Sequence, residues 1–119
     1  MNGNFINCRI ESTGSFAVFI SGTSNYLFFN NCTIIGLSDT VQISNFTTRQ
    51  VGTNNIFQDC KMYAGTGDIF KETSYGGGDF GDVVLLNCTI NKTSITSVPP
   101  LKIQEFNTTA IVGLQQTVI

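Results

Sequence analysis

Phe29-Asn30-Asn31-Cys32-Thr33-Ile34 is written four times along this chain, with small changes. The other copies are Phe5-Ile6-Asn7-Cys8-Arg9-Ile10, Phe57-Gln58-Asp59-Cys60-Lys61-Met62 and Leu85-Leu86-Asn87-Cys88-Thr89-Ile90. Each runs as a large apolar residue, a spacer, Asn or Asp, Cys, a polar residue, then Ile or Met. The cysteines stand at 8, 32, 60 and 88, so the steps are 24, 28 and 28 residues. A fixed period between about 20 and 50 residues is the sequence mark of a solenoid.

The parity of the motif says which solenoid. Successive strand side chains alternate between faces, so Phe29 and Cys32, three apart, would point to opposite sides of an unbroken strand. A bend between them brings both inward together with Ile34. Asn31 suits that bend, because Asn tolerates left-handed backbone angles and bonds to neighbouring backbone. In a stack, Asn7, Asn31, Asp59 and Asn87 then form a side-chain ladder. The expected fold is therefore all-β: a right-handed parallel β-helix of about four to five rungs.

Outward from the motif, the apolar segments are rich in Val, Ile, Phe and Thr, which form strands, and clusters of Gly, Asn, Ser and Thr between them read as turns. Strand segments are expected over 5–10 and 16–21, 27–35 and 40–44, 55–63 and 68–70, and 83–90, with part of a fifth rung over 101–106 and 110–112. Two longer stretches, 45–54 with Arg49 and 71–82 with Gly76-Gly77-Gly78, read as insertions, which in solenoids become loops on one side. Val98-Pro99-Pro100 reads as an extended loop.

One domain over 1–119 is the natural division of a chain of this length. Charged residues make up only 12%, about half the usual share. The net charge is −2 and the six Lys and Arg residues are scattered, which argues against nucleic acid. No apolar run reaches about 18 residues, so no membrane-spanning helix is expected, and Met1-Asn2-Gly3-Asn4 does not open a signal peptide. The absence of His removes the commonest general base and metal ligand.

Because the four cysteines share one repeat position, they are expected to stack in a column as buried free thiols, filling core as small hydrophobes. Their spacing does not suit zinc. Asp79 and Asp82 could offer oxygens to calcium, but the nonapeptide calcium repeat needs several copies and one is present. No metal or cofactor is expected. Asn-x-Ser/Thr sequons at Asn31, Asn45, Asn87, Asn91 and Asn107 follow from composition. Tyr26, Tyr63 and Tyr75 are the candidates for a sugar-stacking platform, since the phenylalanines three residues before a Cys are core by position and there is no Trp.

Ala17-Val18-Phe19-Ile20-Ser21-Gly22, followed by Phe29 to Ile34 and then Gly36-Leu37-Ser38-Asp39-Thr40-Val41, resembles the central rungs of pectin methylesterases. Their A-L-R-V-S-G, F-Y-N-C-R-I and G-Y-Q-D-T-L segments occur in that order, and 57–70, ending Asp68-Ile69-Phe70, is similar to their C-Y-I-E-G-T-V-D-F-I-F. The resemblance covers about residues 14–90. It implies a β-helix in which Asp39 is the general acid/base and Asp68 the nucleophile of a carbohydrate esterase. Independently, Asp39 lies seven residues after Cys32 and Asp68 eight after Cys60, which places the two carboxylates on adjacent rungs, and paired carboxylates push their pKa values apart. The family's oxyanion-stabilising glutamines, however, fall on Gly14 and Ser38, and its G-R-P-W segment has no counterpart after Asn87. Arg49 is the candidate replacement for that arginine.

The primary expectation is thus a non-catalytic structural or receptor-facing module on a virion or extracellular surface, with a polysaccharide as candidate ligand. The alternative is the esterase. Architecture of this kind is also similar to that of phage tailspikes and decoration proteins, and open coil ends predict self-association as a trimer or stacking on a larger assembly.

Overall fold

Each copy of the motif forms two strands rather than one, because its Asn or Asp turns the backbone. The residues before the Cys, at 7, 31, 59 and 87, have φ of 57°, 56°, 55° and 54°. This left-handed region is open to Asn and Asp at little cost and to most other side chains only under strain. A computed structural model describes residues 2–21, 26–45, 54–75, 82–96 and 103–110.

The strands fall into groups of three. The first copy gives β1 (Asn2–Ile6), β2 (Arg9–Glu11) and β3 (Phe16–Ser21); the second gives β4 (Tyr26–Asn30), β5 (Thr33–Ile35) and β6 (Asp39–Asn45). The third gives β7 (Asn54–Gln58), β8 (Lys61–Tyr63) and β9 (Phe70–Tyr75); the fourth gives β10 (Asp82–Leu86), β11 (Thr89–Ile90) and β12 (Ile95–Thr96). A fifth copy supplies β13 (Ile103–Phe106) and β14 (Thr109–Ala110). Like strands pair with like, always in parallel. One sheet runs β1-β4-β7-β10-β13, a second β2-β5-β8-β11-β14 and a third β3-β6-β9-β12. The protein is all-β with parallel sheets.

Register turns the sequence repeat into columns. Phe5 pairs with Phe29, Phe29 with Phe57, and Phe57 with Leu85. The rings of Phe5 and Phe29 stack with centroids 4.8 Å apart, those of Phe29 and Phe57 at 4.7 Å, and Phe70 of the third sheet meets Phe57 edge-on at 5.7 Å. Phe29, Cys32 and Ile34 are buried together, as are Phe57, Cys60 and Met62, so the expected inward trio is present. They join Val41 and Phe70 from the third sheet in one apolar cluster. Each fully buried side chain of this size contributes about 1.5–3 kcal/mol from leaving water.

The four cysteines are free thiols, three buried and Cys8 half-buried. Each of the later three donates weakly to the carbonyl three residues before the cysteine of the preceding copy: Cys32 to Phe5 at 3.3 Å, Cys60 to Phe29 at 3.4 Å and Cys88 to Phe57 at 3.1 Å. The asparagine ladder forms in two pieces. Asn31 Nδ2 donates to Asn7 Oδ1 at 2.7 Å, and Asn87 Nδ2 to Asp59 Oδ1 at 2.6 Å. Asp59 interrupts it, since its side chain carries no amide N–H to donate onward as Asn does.

Three segments differ from the sequence reading. Lys71 to Tyr75, expected in a loop, continues β9 and pairs with β6 as far as Asn45↔Tyr75, with a register irregularity at Ile43/Ser44. Its polar composition hid a strand whose support is backbone pairing. Ile95–Thr96 is a two-residue strand paired with Phe70 and Lys71, too short to leave a pattern. The fifth copy keeps the bend at Asn107, with φ 50°, but replaces Cys by Thr108, whose hydroxyl bonds to Leu85 O at 3.4 Å as the thiols do in earlier copies. Gly76-Gly77-Gly78, Asp79, Val98-Pro99-Pro100 and 111–112 lie outside the described residues.

Candidate functional site

The turns that follow β5 and β8 bring the two singled-out aspartates together. Val41 pairs with Phe70, which sets Asp39 and Asp68, each two residues earlier, side by side on neighbouring copies. The backbone confirms the register: Thr40 N–H donates to Asp68 O at 2.9 Å and Val41 N–H to Ile69 O at 3.0 Å.

Asp39 does not face an open groove. It is 3% exposed. Its Oδ1 accepts the Asp68 backbone N–H at 2.7 Å, and its Oδ2 accepts the Gln42 amide at 2.8 Å. One carboxylate oxygen therefore caps the chain of the next copy while the other is held by its own strand. Asp68 is half-buried, and its N–H and C=O both bond to the preceding copy.

Three glycines make room for this arrangement. A Cβ at Gly67 would lie 2.1 Å from Asp39 Oδ1, so the carboxylate occupies the space a side chain would need. A Cβ at Gly36 would lie 1.8 Å from Asp39 O, and one at Gly65 1.9 Å from Leu37 O. The two turns nest: Gly65 N–H and Gly67 N–H donate to Ser38 O at 3.1 Å and 2.9 Å, and Thr66 N–H to Leu37 O at 3.3 Å. From the fourth copy, Lys92 Nζ donates to the carbonyls of Gly65 and Gly67.

Other buried polar side chains around the turns also bond from copy to copy. Thr40 Oγ1 donates to Tyr63 O at 2.7 Å. Asn91 accepts from Ala64 N–H and donates to Ala64 O, both at 2.9 Å, and Asn55 Oδ1 accepts from Leu27 N–H at 3.3 Å. Sequence reasoning gave Thr40, Gln42, Asn55 and Gly67 no role of their own and read Asn91 only as a sequon. Their partners lie 23 to 28 residues away for Thr40, Asn55 and Asn91, so only the register between copies reveals them. The Gly65-Thr66-Gly67-Asp68 run was a visible signal of a tight approach.

Of the remaining candidates, Tyr63 is buried at 8% exposure, packed in β8. Tyr75 ends β9 opposite Asn45. Arg49 lies outside the described residues. Burial pushes the Cys32 thiol above its ordinary value. Contact with the Cys88 thiol, and then burial, push Cys60 up as well. The same contact lowers Cys88, and the Cys32 thiol, raised chiefly by burial, is a protonated core group at neutral pH, unlike the reactive thiolates of nucleophilic sites. Among the described residues no group of three or more His, Cys, Asp and Glu side chains could hold a metal ion, and no helix is long and apolar enough to cross a membrane.

Comparison of the chain with protein-family models, with curated protein sequences and with solved structures found no match.

Proposed function

We propose that the three sheets are the walls of a right-handed parallel β-helix of four to five rungs, and that this helix is a non-catalytic structural or receptor-facing module. What supports the helical reading is the recurrence of one strand per sheet in each of four copies, with inward side chains of all three sheets meeting in one cluster. What supports the scaffold reading above all is the state of Asp39. The carboxylate with the best claim to acid/base chemistry is buried, with both oxygens engaged in holding its own strand and the next copy. A catalytic acid must reach the proton it transfers, and a polymer substrate has no approach to a group so enclosed.

In this reading the protein is a low-charge, Asn- and Thr-rich coil that belongs to a virion or extracellular surface and presents a glycan-facing wall. The esterase alternative draws on one observation, the side-by-side placement of Asp39 and Asp68 on neighbouring copies. A single assay separates the two. Methanol release from methylated pectin is expected to stay at the buffer rate for both the wild type and Asp68→Asn. Release by the wild type that disappears in Asp68→Asn would overturn the scaffold reading.

A further inference from the structure

β1, β2 and β3 are the outermost strands of all three sheets on one side. The ladders that cross the sheets end there with a defined polarity. The later asparagine donates its amide to the earlier side-chain oxygen, as Asn31 does to Asn7, so Asn7 has spent its oxygen. Among the described residues its Nδ2 meets no acceptor. Thiols follow the same direction: Cys32, Cys60 and Cys88 each reach a carbonyl of the copy before, whereas among the described residues Cys8 reaches only Ile6 O of its own copy, at 3.4 Å. The Phe5 ring is stacked on Phe29 on one face and remains 39% exposed, and Ile6 and Phe19 are 56% and 48% exposed.

The opposite side carries the matching groups. β13 and β14 are the outermost strands of two sheets and flank Asn107, whose φ of 50° repeats the bend of Asn7. The backbone polarity also matches. Along the first sheet the N–H of the bend residue donates to the following copy, as Asn7 N–H does to Asn30 O and Asp59 N–H to Leu86 O; along the second the later copy donates, as Thr33 N–H does to Cys8 O and Thr109 N–H to Cys88 O.

We propose that a second copy of this chain docks head to tail, its β13–Asn107–β14 edge against β1–Asn7–β2. In that register Asn7 Nδ2 donates to Oδ1 of Asn107 in the second copy, and Asn107 N–H of that copy donates to Ile6 O. Arg9 N–H then donates to the second copy's Thr108 O, and the Cys8 thiol finds the carbonyl at position 105. Every group is supplied with the donor or acceptor that its equivalents have inside the molecule. One element restrains the contact. The residue in register with Leu85, and so next in the Phe5 column, is Glu105. A charge at a sheet edge is a common guard against edge-to-edge growth. A head-to-tail contact of this kind does not close on itself, so it builds open stacks. The inference rests on the polarity of the sheet edges and not on the scaffold role, and its failure would leave that role standing.

Sedimentation velocity of the full chain, from about 10 μM to about 1 mM, tests it. The weight-average mass is expected to rise continuously with concentration, without settling at a dimer or trimer. Asn7→Asp keeps the acceptor for Asn31, as Asp59 does for Asn87, and replaces the outward amide donor by an acceptor oxygen; association should weaken about tenfold. Glu105→Phe should strengthen it about tenfold. Arg9→Pro, which removes an outward-directed amide on an edge strand, should weaken it independently of Asn7. Far-UV circular dichroism confirms the fold of each variant. A mass fixed at the monomer for both wild type and Glu105→Phe would overturn the proposal. So would a closed oligomer indifferent to Asn7→Asp and Arg9→Pro.

Discussion

Asn31 and Cys32 divide the work of the motif between them. The asparagine takes a left-handed backbone that few residues accept, and the cysteine fills the space inside the bend while offering a weak proton to a carbonyl of the preceding copy. Both roles were legible, because the three-residue gap from Phe29 to Cys32 cannot place two apolar side chains on one face without a bend. Burial has a consequence for pH. Thiols whose pKa is raised on folding remain protonated while those of the unfolded chain ionise above about 8.5. The unfolded state then binds fewer protons, and stability falls as pH rises. Cys32 is shifted upward by burial, whereas the contact between Cys60 and Cys88 raises one and lowers the other, so the expectation rests on Cys32. The urea midpoint is therefore expected to be flat from neutrality to about pH 8 and to fall above it. In Cys32→Ala the alkaline fall should be shallower than in the wild type, whatever the offset at neutral pH. Parallel slopes in the two proteins would show that Cys32 ionises in the folded state as readily as in the unfolded.

The elements draw their stability from position in the stack more than from their own sequence. Phe5 and Phe57 hold the same place in β1 and β7, yet Phe57 is fully buried between neighbouring copies and Phe5 is 39% exposed. Phe57→Ala should cost about 3–5 kcal/mol by urea unfolding, the range for a large side chain deleted from a packed core. Phe5→Ala should cost about 1 kcal/mol, since only one ring face is packed. Equal losses would show that the first copy is covered as well as the third. The same dependence on neighbours explains which strands the sequence concealed. β4 and β7 carry apolar side chains on a legible pattern, whereas Lys71-Glu72-Thr73-Ser74-Tyr75 becomes strand through pairing with β6. β12 has only Ile95 and Thr96 to announce it. Thr108 stands where a cysteine stood in four earlier copies, and its step of 20 residues from Cys88 breaks the period that made the others visible.

Across the whole molecule, polar side chains at repeating positions tie one copy to the next, so stability accumulates from contacts between neighbouring copies as in other repeat proteins. Asp39 is the decisive member. The sequence placed it beside Asp68, and the structure brings the two together as expected, but the partner it meets is the Asp68 backbone N–H. That distinction was illegible, because it depends on the missing Cβ of Gly67 and on a chain segment 29 residues away. The two roles have opposite thermodynamic signatures. A carboxylate kept for catalysis is commonly held at a cost in stability, and its removal leaves the fold unharmed or firmer. A buried cap leaves its donors unpaired when it is lost, at about 1–3 kcal/mol. Equilibrium urea unfolding of Asp39→Ala at neutral pH measures this directly. The cap predicts a loss of about 2–3 kcal/mol from the free energy of unfolding. Unchanged or increased stability would contradict it.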